Sequence, residues 1–390
     1  MNTLRTGSPD RVDLDPDRMQ MLRTRAAEWV HQGRTPSFVM LVARRGVVVV
    51  HEAFGPLHQL DGAPPLQTTS IFPIASNTKV VTSVALLTFV ESGQVSLNAP
   101  VASYIEELAG TAWDDVPVRA LLTHTSGMPS DAPREFVAKR LQRPIELGSL
   151  DATQHKRVEL LLRALMEYEV PNPAGETMQY CDENFALVGE IIRRVSGQAL
   201  EAVVQERIFS PLGMNDSSYR FAEHFHARNV HRHPSNARAL MDDPRYMDVP
   251  FAATGLNTTA FDYAKFLQMI LNGGSYGDAR ILGPQTVRQM TRNQIPGIGT
   301  EVEGWHPEAS WGLGIRILDH ERWPWQDASL TRKGILTHGG GGGTDFWIDP
   351  ENEIVGVYFA VCEDTTNRNA FENRSDFDLF QNMVCASIQP

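Results

Sequence analysis

Ser76 and Lys79 stand three residues apart at the start of an apolar segment, IFPIASNTKVVTSVALLTFVESG (71–93). Its apolar residues recur at helical spacing until Gly93 supplies a stop, so the pattern predicts a helix with Ser76 in its first turn. Residues three apart share a helix face, so the Lys79 ammonium can reach the Ser76 hydroxyl. Burial and the positive end of the helix dipole both disfavour a charged ammonium, so we expect a lowered pKa for Lys79. A neutral Lys79 could then take the proton of Ser76.

The Ser-x-x-Lys pattern alone is weak, because serine is a common helix N-cap and lysine in a first turn often faces solvent. Two later segments contain residues that could act together with Ser76 and Lys79. PNPAGETMQYCDENF places Tyr180 after a Pro/Gly turn and ahead of a helix, and LTHGGGGGTDFW places His338 at a strand end before glycines. A phenol near an ammonium can move toward its anionic form, so Tyr180 could also exchange a proton with Ser76 or with a leaving group. Which of Lys79 and Tyr180 acts first stays open.

Strand patterns that could position these residues occur at both ends of the chain. FVMLVARRGVVVVHEAF (38–54) consists of two β-branched runs broken at Arg45-Gly46, which predicts a hairpin. Residues 334–362 favour three strands separated by the glycine run and by a turn at 350–352. A helix is expected from Pro16, with Asp15 as its N-cap, and another near the carboxyl end.

These elements indicate an α/β (α+β) fold in which one antiparallel sheet is built from both chain ends and flanked by helices. The region between the two ends has a mainly helical pattern and is expected to form an inserted lobe. The predicted sheet domain comprises residues 1–70 together with 280–390, and the predicted helical domain comprises residues 71–279. The active site is expected in the cleft between them.

Charge and composition exclude several kinds of partner. The net charge of −12 and a pI near 5.5 give no basic field, so we expect neither a nucleic-acid nor a membrane partner. No apolar run approaches the roughly 18 residues of a transmembrane helix, and the first 20 residues lack an apolar signal segment. The sequence therefore predicts a cytoplasmic protein or one that has already been processed. The three cysteines, Cys181, Cys362 and Cys385, lack metal-ligand spacing.

Two further patterns are better explained by structure than by chemistry. The stretch GGSYG (273–277) matches the G-x-S-x-G nucleophile elbow, but it follows a helical pattern rather than a strand, so Ser275 is not expected to be a nucleophile. Four histidines in EHFHARNVHRHPSN could suggest zinc, yet two arginines lie among them and a solvated loop is favoured. These are His224, His226, His231 and His233. No metal and no cofactor is predicted.

Together the Ser76, Tyr180 and His338 segments, in this order, resemble the serine β-lactamase and penicillin-recognising hydrolase family, most closely the class C β-lactamases and family VIII carboxylesterases. Four connecting stretches support the resemblance, which covers nearly the whole chain: LLTHTSGM (121–128), IFSPLGMNDSSY (208–219), TGLNTTAFDYAKFLQMILNGG (254–274) and WGLGI (311–315). It implies that Ser76 is the nucleophile, Lys79 its base and Tyr180 the proton relay. The backbone N–H groups of Ser76 and Gly341 would form the oxyanion hole. His124 and Ser126 in THTSG would belong to a structural turn.

The sequence departs from the β-lactamase pattern at two places. His338-Gly339-Gly340 stands where β-lactamases of the family carry Lys-Thr-Gly, so a largely neutral imidazole replaces the lysine that meets a β-lactam carboxylate. We expect His338 to donate a hydrogen bond near the proton relay, and Gly340 to line the substrate site. Asp182 replaces the asparagine of Tyr-x-Asn by an acceptor-only carboxylate. Asp182 either pairs with Lys79 or a neighbouring donor, or it faces the cleft and repels anions.

These residues predict a metal-independent serine hydrolase that forms an acyl-enzyme on Ser76. Its expected substrates are small esters, so a carboxylesterase is favoured, with acyl transfer or weak β-lactam activity as variants. One alternative is an amidase or D-amino-acid peptidase of the same fold. Another is a binding protein that keeps the fold without turnover, although the joint presence of Ser76, Lys79 and Tyr180 argues against it. The expected partner is a small-molecule ester or amide.

Overall fold

The computed structural model has one large mixed sheet with helices on both faces. It describes residues 3–59, 61–128, 162, 165–166, 172–220, 223–230, 251–300, 308–318, 329–361 and 370–389. The strands are β1 (Arg5–Thr6), β2 (Phe38–Arg44), β3 (Val47–Phe54), β4 (Phe72–Pro73), β5 (Asn257–Thr258), β6 (Ser275–Tyr276), β7 (Ala279–Arg280), β8 (Arg316–Leu318), β9 (Ile335–Gly340), β10 (Thr344–Asp349) and β11 (Ile354–Ala360). The helices are α1 (Pro16–His31), α2 (Thr78–Glu91), α3 (Val118–Leu122), α4 (Asp182–Ser196), α5 (Leu200–Val204), α6 (Ser210–Leu212), α7 (Ala260–Leu271), α8 (Pro284–Met290) and α9 (Ala370–Ala386).

The large sheet has the strand order β1-β3-β2-β11-β10-β9-β8. Strand β2 from the amino-terminal part of the chain therefore lies beside β11 from the carboxyl-terminal part, which confirms a sheet built from both ends. Neighbouring strands are antiparallel except for β1 and β3, which are parallel. The predicted antiparallel sheet is therefore extended at this edge by one short parallel strand. β1 has only two residues. It is held by backbone hydrogen bonds from Arg5 N–H to Gly46 O (3.0 Å) and from Gly7 N–H to Val48 O (3.1 Å). Backbone bonds leave no pattern of side chains in the sequence, so this strand was not predicted.

Two tight turns place the strands in register. Arg45 and Gly46 have φ values of 51° and 75° and join β2 to β3, which confirms the predicted hairpin. A two-residue turn with positive φ at both positions matches the twist of antiparallel strands. Between β9 and β10, Gly342 and Gly343 have φ values of 103° and 94°, a conformation that glycine adopts without steric cost. The glycine run is therefore the turn that follows the strand carrying His338.

Alternate residues along the central strands enter two apolar clusters. Phe38, Met40 and Val42 of β2 pack with α1 and α9, whereas the intervening Val39, Leu41 and Ala43 belong to the cluster that contains α2 and α7. Side chains of neighbouring strand residues point to opposite faces, so helices cover both sides of the sheet. Helix α1 begins as predicted, because Asp15 Oδ1 accepts hydrogen bonds from the N–H groups of residues 17 and 18. The larger cluster continues from the sheet into the helices of the middle region.

The division into a sheet domain (1–70 with 280–390) and a helical domain (71–279) stays a prediction. Within the described ranges, no helix is both long enough and apolar enough to cross a membrane.

Candidate active site

Ser76 is partly exposed to solvent in an otherwise buried segment. From residue 71 to residue 87, every residue is buried except Ser76. It lies in a 3₁₀ turn, Ala75–Asn77, and α2 begins directly after it at Thr78. The helix therefore starts two residues later than the sequence predicts for a serine in its first turn. Ala75 has a φ of 47°, which is unusual for a residue other than glycine and marks a sharp change of chain direction before Ser76.

Backbone and hydroxyl contacts hold this turn against the segment that precedes α7. Ile74 N–H donates to Leu256 O at 3.0 Å, and Leu256 N–H donates to Thr78 Oγ1 at 3.1 Å. Thr78 Oγ1 in turn donates to Ala75 O at 2.6 Å. Each bond is buried, where an unpaired polar group would cost about 1–3 kcal/mol. The position of Ser76 is therefore fixed by its chain neighbours on both sides.

Lys79 is completely buried, and several oxygen atoms lie close to its ammonium group. Nζ lies 3.0 Å from Ser76 Oγ, 3.2 Å from the carbonyl oxygen of Ala253 and 2.7 Å from Asp182 Oδ1. The Asp182 side chain is 32% exposed, whereas that of Lys79 is 0% exposed. Of the two roles open for Asp182, pairing with Lys79 is therefore observed. The carbonyl of Ala253 is a contact that sequence reasoning missed, because a backbone acceptor leaves no residue-type signal.

The protonation of Lys79 and Tyr180 differs from the expectation. Burial is the largest single influence and lowers the pKa of Lys79, but the interactions with Asp182 and Tyr180 together outweigh it, and the pKa is raised. Burial raises the pKa of Tyr180, and the nearby Lys79 ammonium opposes this only in part. The predictions of a neutral Lys79 and of a Tyr180 shifted toward phenolate are therefore wrong for the resting site. Sequence reasoning offered Asp182 as a partner of Lys79, but it could not give the 2.7 Å separation of the two groups.

Tyr180 reaches the site directly before α4, and the turn around His124 holds it there. Gln179 N–H donates to His124 O at 2.8 Å, and Cys181 N–H donates to His124 Nδ1 at 3.1 Å. The two residues that flank Tyr180 thus both donate backbone hydrogen bonds to His124. The tyrosine hydroxyl interacts with Ser76 and Lys79, and Lys79 Nζ lies 4.8 Å from the Tyr180 ring centroid.

His124 has the structural role predicted for THTSG, but it also packs directly on the site. Its ring centroid lies 4.4 Å from that of Tyr180, and Ser126 Oγ donates to Asn184 Oδ1 at 2.7 Å. Trp311 packs edge-on against the rings of His124 and His338, at centroid distances of 5.2 and 5.6 Å. Trp311 belongs to the WGLGI stretch, which is the signal by which sequence reasoning could have assigned it to the site.

His338 lies inside β9 and is buried. Burial lowers its pKa to about 3, so the ring is neutral at physiological pH. Its Nδ1 is 2.9 Å from Gly339 O, and a carbonyl only accepts, so Nδ1 carries the proton and donates. Nε2 is then an acceptor, and it has no hydrogen-bond partner in the described structure. The expected donor role toward the relay therefore does not fit this tautomer.

Gly340 and Gly341 follow His338 at the end of β9, beside the Ser76 turn. A β-carbon on Gly340 would lie 2.1 Å from Thr344 Oγ1 and 2.3 Å from Ile74 O, so only glycine fits there. Gly341 is the first residue of the turn between β9 and β10. The structure thus brings together Ser76 and the glycine segment that the resemblance assigns to the oxyanion hole.

The other sequence patterns do not join this site. Ser275 begins the two-residue strand β6 after helix α7, so it lacks the strand–turn–helix context of a nucleophile elbow. Within the described residues, no three His, Cys, Asp or Glu side chains are grouped as metal ligands. His231, His233 and Cys362, and the side chain of His224, lie outside the described residues. Cys181 is buried, and burial raises the pKa of its thiol.

This architecture is the fold of the β-lactamase and transpeptidase class of serine hydrolases. The sequence profile of the Beta-lactamase family matches residues 20–379, and the chain therefore belongs to that family. A protein of Escherichia coli K12, provisionally named D-alanyl-D-alanine carboxypeptidase, is 25% identical over 95% of this chain and 89% of its own length.

Two solved structures share the fold. A family VIII carboxylesterase is 20% identical, with a TM-score of 0.72 over 93% of this chain and 97% of its own. EstCE1, described as a hydrolase with promiscuous acyltransferase activity, is 19% identical, with a TM-score of 0.73 over 92% of this chain and 98% of its own.

Proposed function

We propose that the protein is a carboxylesterase that forms an acyl-enzyme on Ser76 and then hydrolyses it. The observation that carries the proposal is the hydroxyl of the partly exposed Ser76, held 3.0 Å from the Nζ of a buried lysine. A serine hydroxyl is a weak nucleophile until a neighbouring group takes its proton, and Lys79 and Tyr180 are both adjacent to it.

Each group in the site then has a role in the two half-reactions. Ser76 Oγ attacks the ester carbonyl, and the backbone N–H groups of Ser76 and Gly341 stabilise the tetrahedral oxyanion. Lys79 and Tyr180 move the serine proton to the departing alkoxide, and water repeats the sequence on the acyl-enzyme. Replacement of the water by an alcohol or amine gives acyl transfer.

A neutral ester fits the site better than a substrate with a carboxylate next to the scissile bond. His338 is neutral, and the charge of Lys79 is already balanced by Asp182. A peptidase acting on D-amino-acid peptides is the second candidate. The observation that favours it is the likeness of nearly the whole chain to the E. coli protein named as such a carboxypeptidase.

The test measures hydrolysis of p-nitrophenyl acetate and butyrate beside release of D-alanine from a D-alanyl-D-alanine peptide. A fluorophosphonate probe, followed by peptide mapping, identifies the nucleophile. We expect ester turnover and labelling of Ser76. Peptide turnover without ester turnover would favour the second candidate, and labelling at another serine would refute the assignment of Ser76.

A further inference from the structure

The surroundings of Lys79 keep it from accepting a proton directly. Its Nζ faces the carbonyl oxygen of Ala253 and the carboxylate of Asp182, and both favour an ammonium. An ammonium has three protons and no lone pair. In the resting site Lys79 therefore donates to Ser76 Oγ and cannot take the serine proton until it has lost one of its own.

The other titratable groups around the pair are poor acceptors. Tyr180 is a neutral phenol whose pKa is raised by burial. His124 and His338 are neutral rings whose pKa values burial lowers, so they bind a proton weakly. Among the described groups that interact with Lys79, the Asp182 carboxylate is the one that has accepting lone pairs and a negative charge.

We propose that Asp182 is the final acceptor of the Ser76 proton and that Lys79 carries the proton between them. The inference rests on the proposed function of Ser76 as the nucleophile. Lys79 Nζ lies within hydrogen-bonding distance of both ends of the path, 3.0 Å from Ser76 Oγ and 2.7 Å from Asp182 Oδ1. Asparagine at position 182 has no anionic oxygen and could not serve as this acceptor.

The proton transfer balances in atoms and charge. Lys79 Nζ gives one proton to Asp182 Oδ1, and the resulting amine turns about its Cε–Nζ bond until its lone pair faces Ser76. The amine then takes the Oγ proton while Oγ bonds to the ester carbon and the carbonyl π pair moves to oxygen. The site begins with an ammonium, a carboxylate and neutral ester. It ends with an ammonium, a carboxylic acid and an oxyanion. When the intermediate collapses, the proton held by Asp182 is transferred to the departing alkoxide.

The test replaces Asp182 by asparagine and measures acylation of Ser76 by p-nitrophenyl acetate in the pre-steady state between pH 6 and 10. At pH 7 we expect acylation to fall by about 100-fold, the lower range for loss of a general base. The rate of Asp182→Asn should rise with pH, since Lys79 must then lose a proton to solvent. If the Asp182 carboxylate only raises the pKa of Lys79, the result at pH 7 should be the opposite. Its removal should then speed acylation, because Lys79 becomes a free amine at lower pH. An Asp182→Asn rate at pH 7 equal to or above wild type overturns the proposal.

A second variant separates proton acceptance from structural support. Asp182 is partly exposed, so Asp182→Ala leaves room for formate to replace the carboxylate. We expect sodium formate, but not sodium chloride, to raise the acylation rate of Asp182→Ala, and absence of rescue in a folded variant counts against the proposal. Glu183→Gln, which removes the neighbouring carboxylate that accepts from Cys181 Sγ, is the matched control and should stay within about threefold of wild type.

Failure of this inference and failure of the proposed function give different results. If Ser76 is not the nucleophile, peptide mapping of the wild-type protein after reaction with the ester finds no acyl adduct on Ser76, whether or not a burst occurs. If only the role of Asp182 is wrong, the wild-type adduct forms and Asp182→Asn forms it at an unchanged or higher rate.

Discussion

Asn77 Nδ2 donates a hydrogen bond of 2.9 Å to the backbone carbonyl of Thr344. Asn77 follows Ser76 directly, and Thr344 is the first residue of β10 after the glycine turn. Thr344 Oγ1 also donates to Ile74 O at 3.1 Å, so two buried bonds join the Ser76 turn to the strand beyond Gly341. The two backbone N–H groups assigned to the oxyanion hole come from these two segments, and their separation therefore depends on this connection.

Asn77→Ala should lower both stability and catalysis. The Thr344 carbonyl loses its buried donor, which costs about 1–3 kcal/mol in the free energy of unfolding. We expect kcat for p-nitrophenyl butyrate to fall by roughly 10-fold with KM less changed, because misplaced oxyanion donors act mainly in the transition state. Asn272→Ala is the matched control, since its side chain also donates to a backbone carbonyl, that of Ser275. An equal loss of kcat in the control would refute a specific role for Asn77.

Ser76→Ala and Ser275→Ala should differ sharply in activity. Loss of a nucleophile costs on the order of 10³-fold or more, because the residual rate comes only from binding and oxyanion stabilisation. Ser275 is buried in a short strand after α7, so its replacement should leave ester hydrolysis within about threefold of wild type. The measurement is kcat/KM for the same ester with each variant. The opposite ranking would mean that the G-x-S-x-G stretch carries the nucleophile.

Local sequence patterns predicted the elements correctly where a few adjacent residues decide the conformation. The Asp15 cap, the Arg45-Gly46 turn and the glycine turn before β10 each depend on backbone preferences that a short stretch expresses. The edge strand β1 was missed because two residues held by backbone bonds have no side-chain period. The predicted residues around Ser76 lie together, although their catalytic roles stay proposals.

Protonation states could not be predicted from the sequence in the same way. The helix dipole and burial, which can be inferred from local pattern, both indicate a lowered pKa for Lys79. Asp182 and Tyr180 together reverse this direction, and the distance of Asp182 from Nζ depends on how α4 packs against α2. At about 3 Å the interaction of two charges in a buried site outweighs a dipole, and only the tertiary structure supplies that distance.

His338 should make stability depend on pH. Its folded pKa is about 3 and its unfolded value is near 6.5, so the unfolded chain binds more protons between these values. The contribution of His338 to the free energy of unfolding is therefore fully present above pH 6.5. It is lost as pH falls, by about 2 kcal/mol at pH 5. The free energy of unfolding, measured with urea at pH 7 and at pH 5, should differ less between the two pH values for His338→Gln than for wild type. His31→Gln is the control, since His31 is exposed, and it should keep the wild-type difference.

Removal of metal ions should leave ester hydrolysis unchanged. The proposed mechanism uses serine, lysine, tyrosine and backbone donors, and none of its steps requires a Lewis acid. We expect activity within about twofold of the starting value after dialysis against EDTA. Loss of activity that zinc restores would instead direct attention to the histidines of residues 224–233.

Asp182 should also weaken the use of anionic substrates. Like charges about 4 Å apart repel by roughly 1 kcal/mol in water and by about 4 kcal/mol at an effective dielectric constant of 20. The paired Lys79 offsets part of this repulsion, so we expect the lower end of the range. Nitrocefin carries a carboxylate and should be a poor substrate compared with p-nitrophenyl butyrate. In Asp182→Asn the ratio of kcat/KM for nitrocefin to that for the ester should rise by roughly 10-fold.

The ratio of the two kcat/KM values separates the effect of the Asp182 charge on substrate choice from a general loss of activity. Slower proton transfer lowers kcat/KM for nitrocefin and for the ester together. Glu183→Gln controls for the removal of any acidic side chain near the start of α4 and should leave the ratio unchanged. Efficient nitrocefin turnover by wild type, or the same ratio in Asp182→Asn, would show that the exposed part of Asp182 does not select substrates. The carboxylate would then act on the site through Lys79 alone.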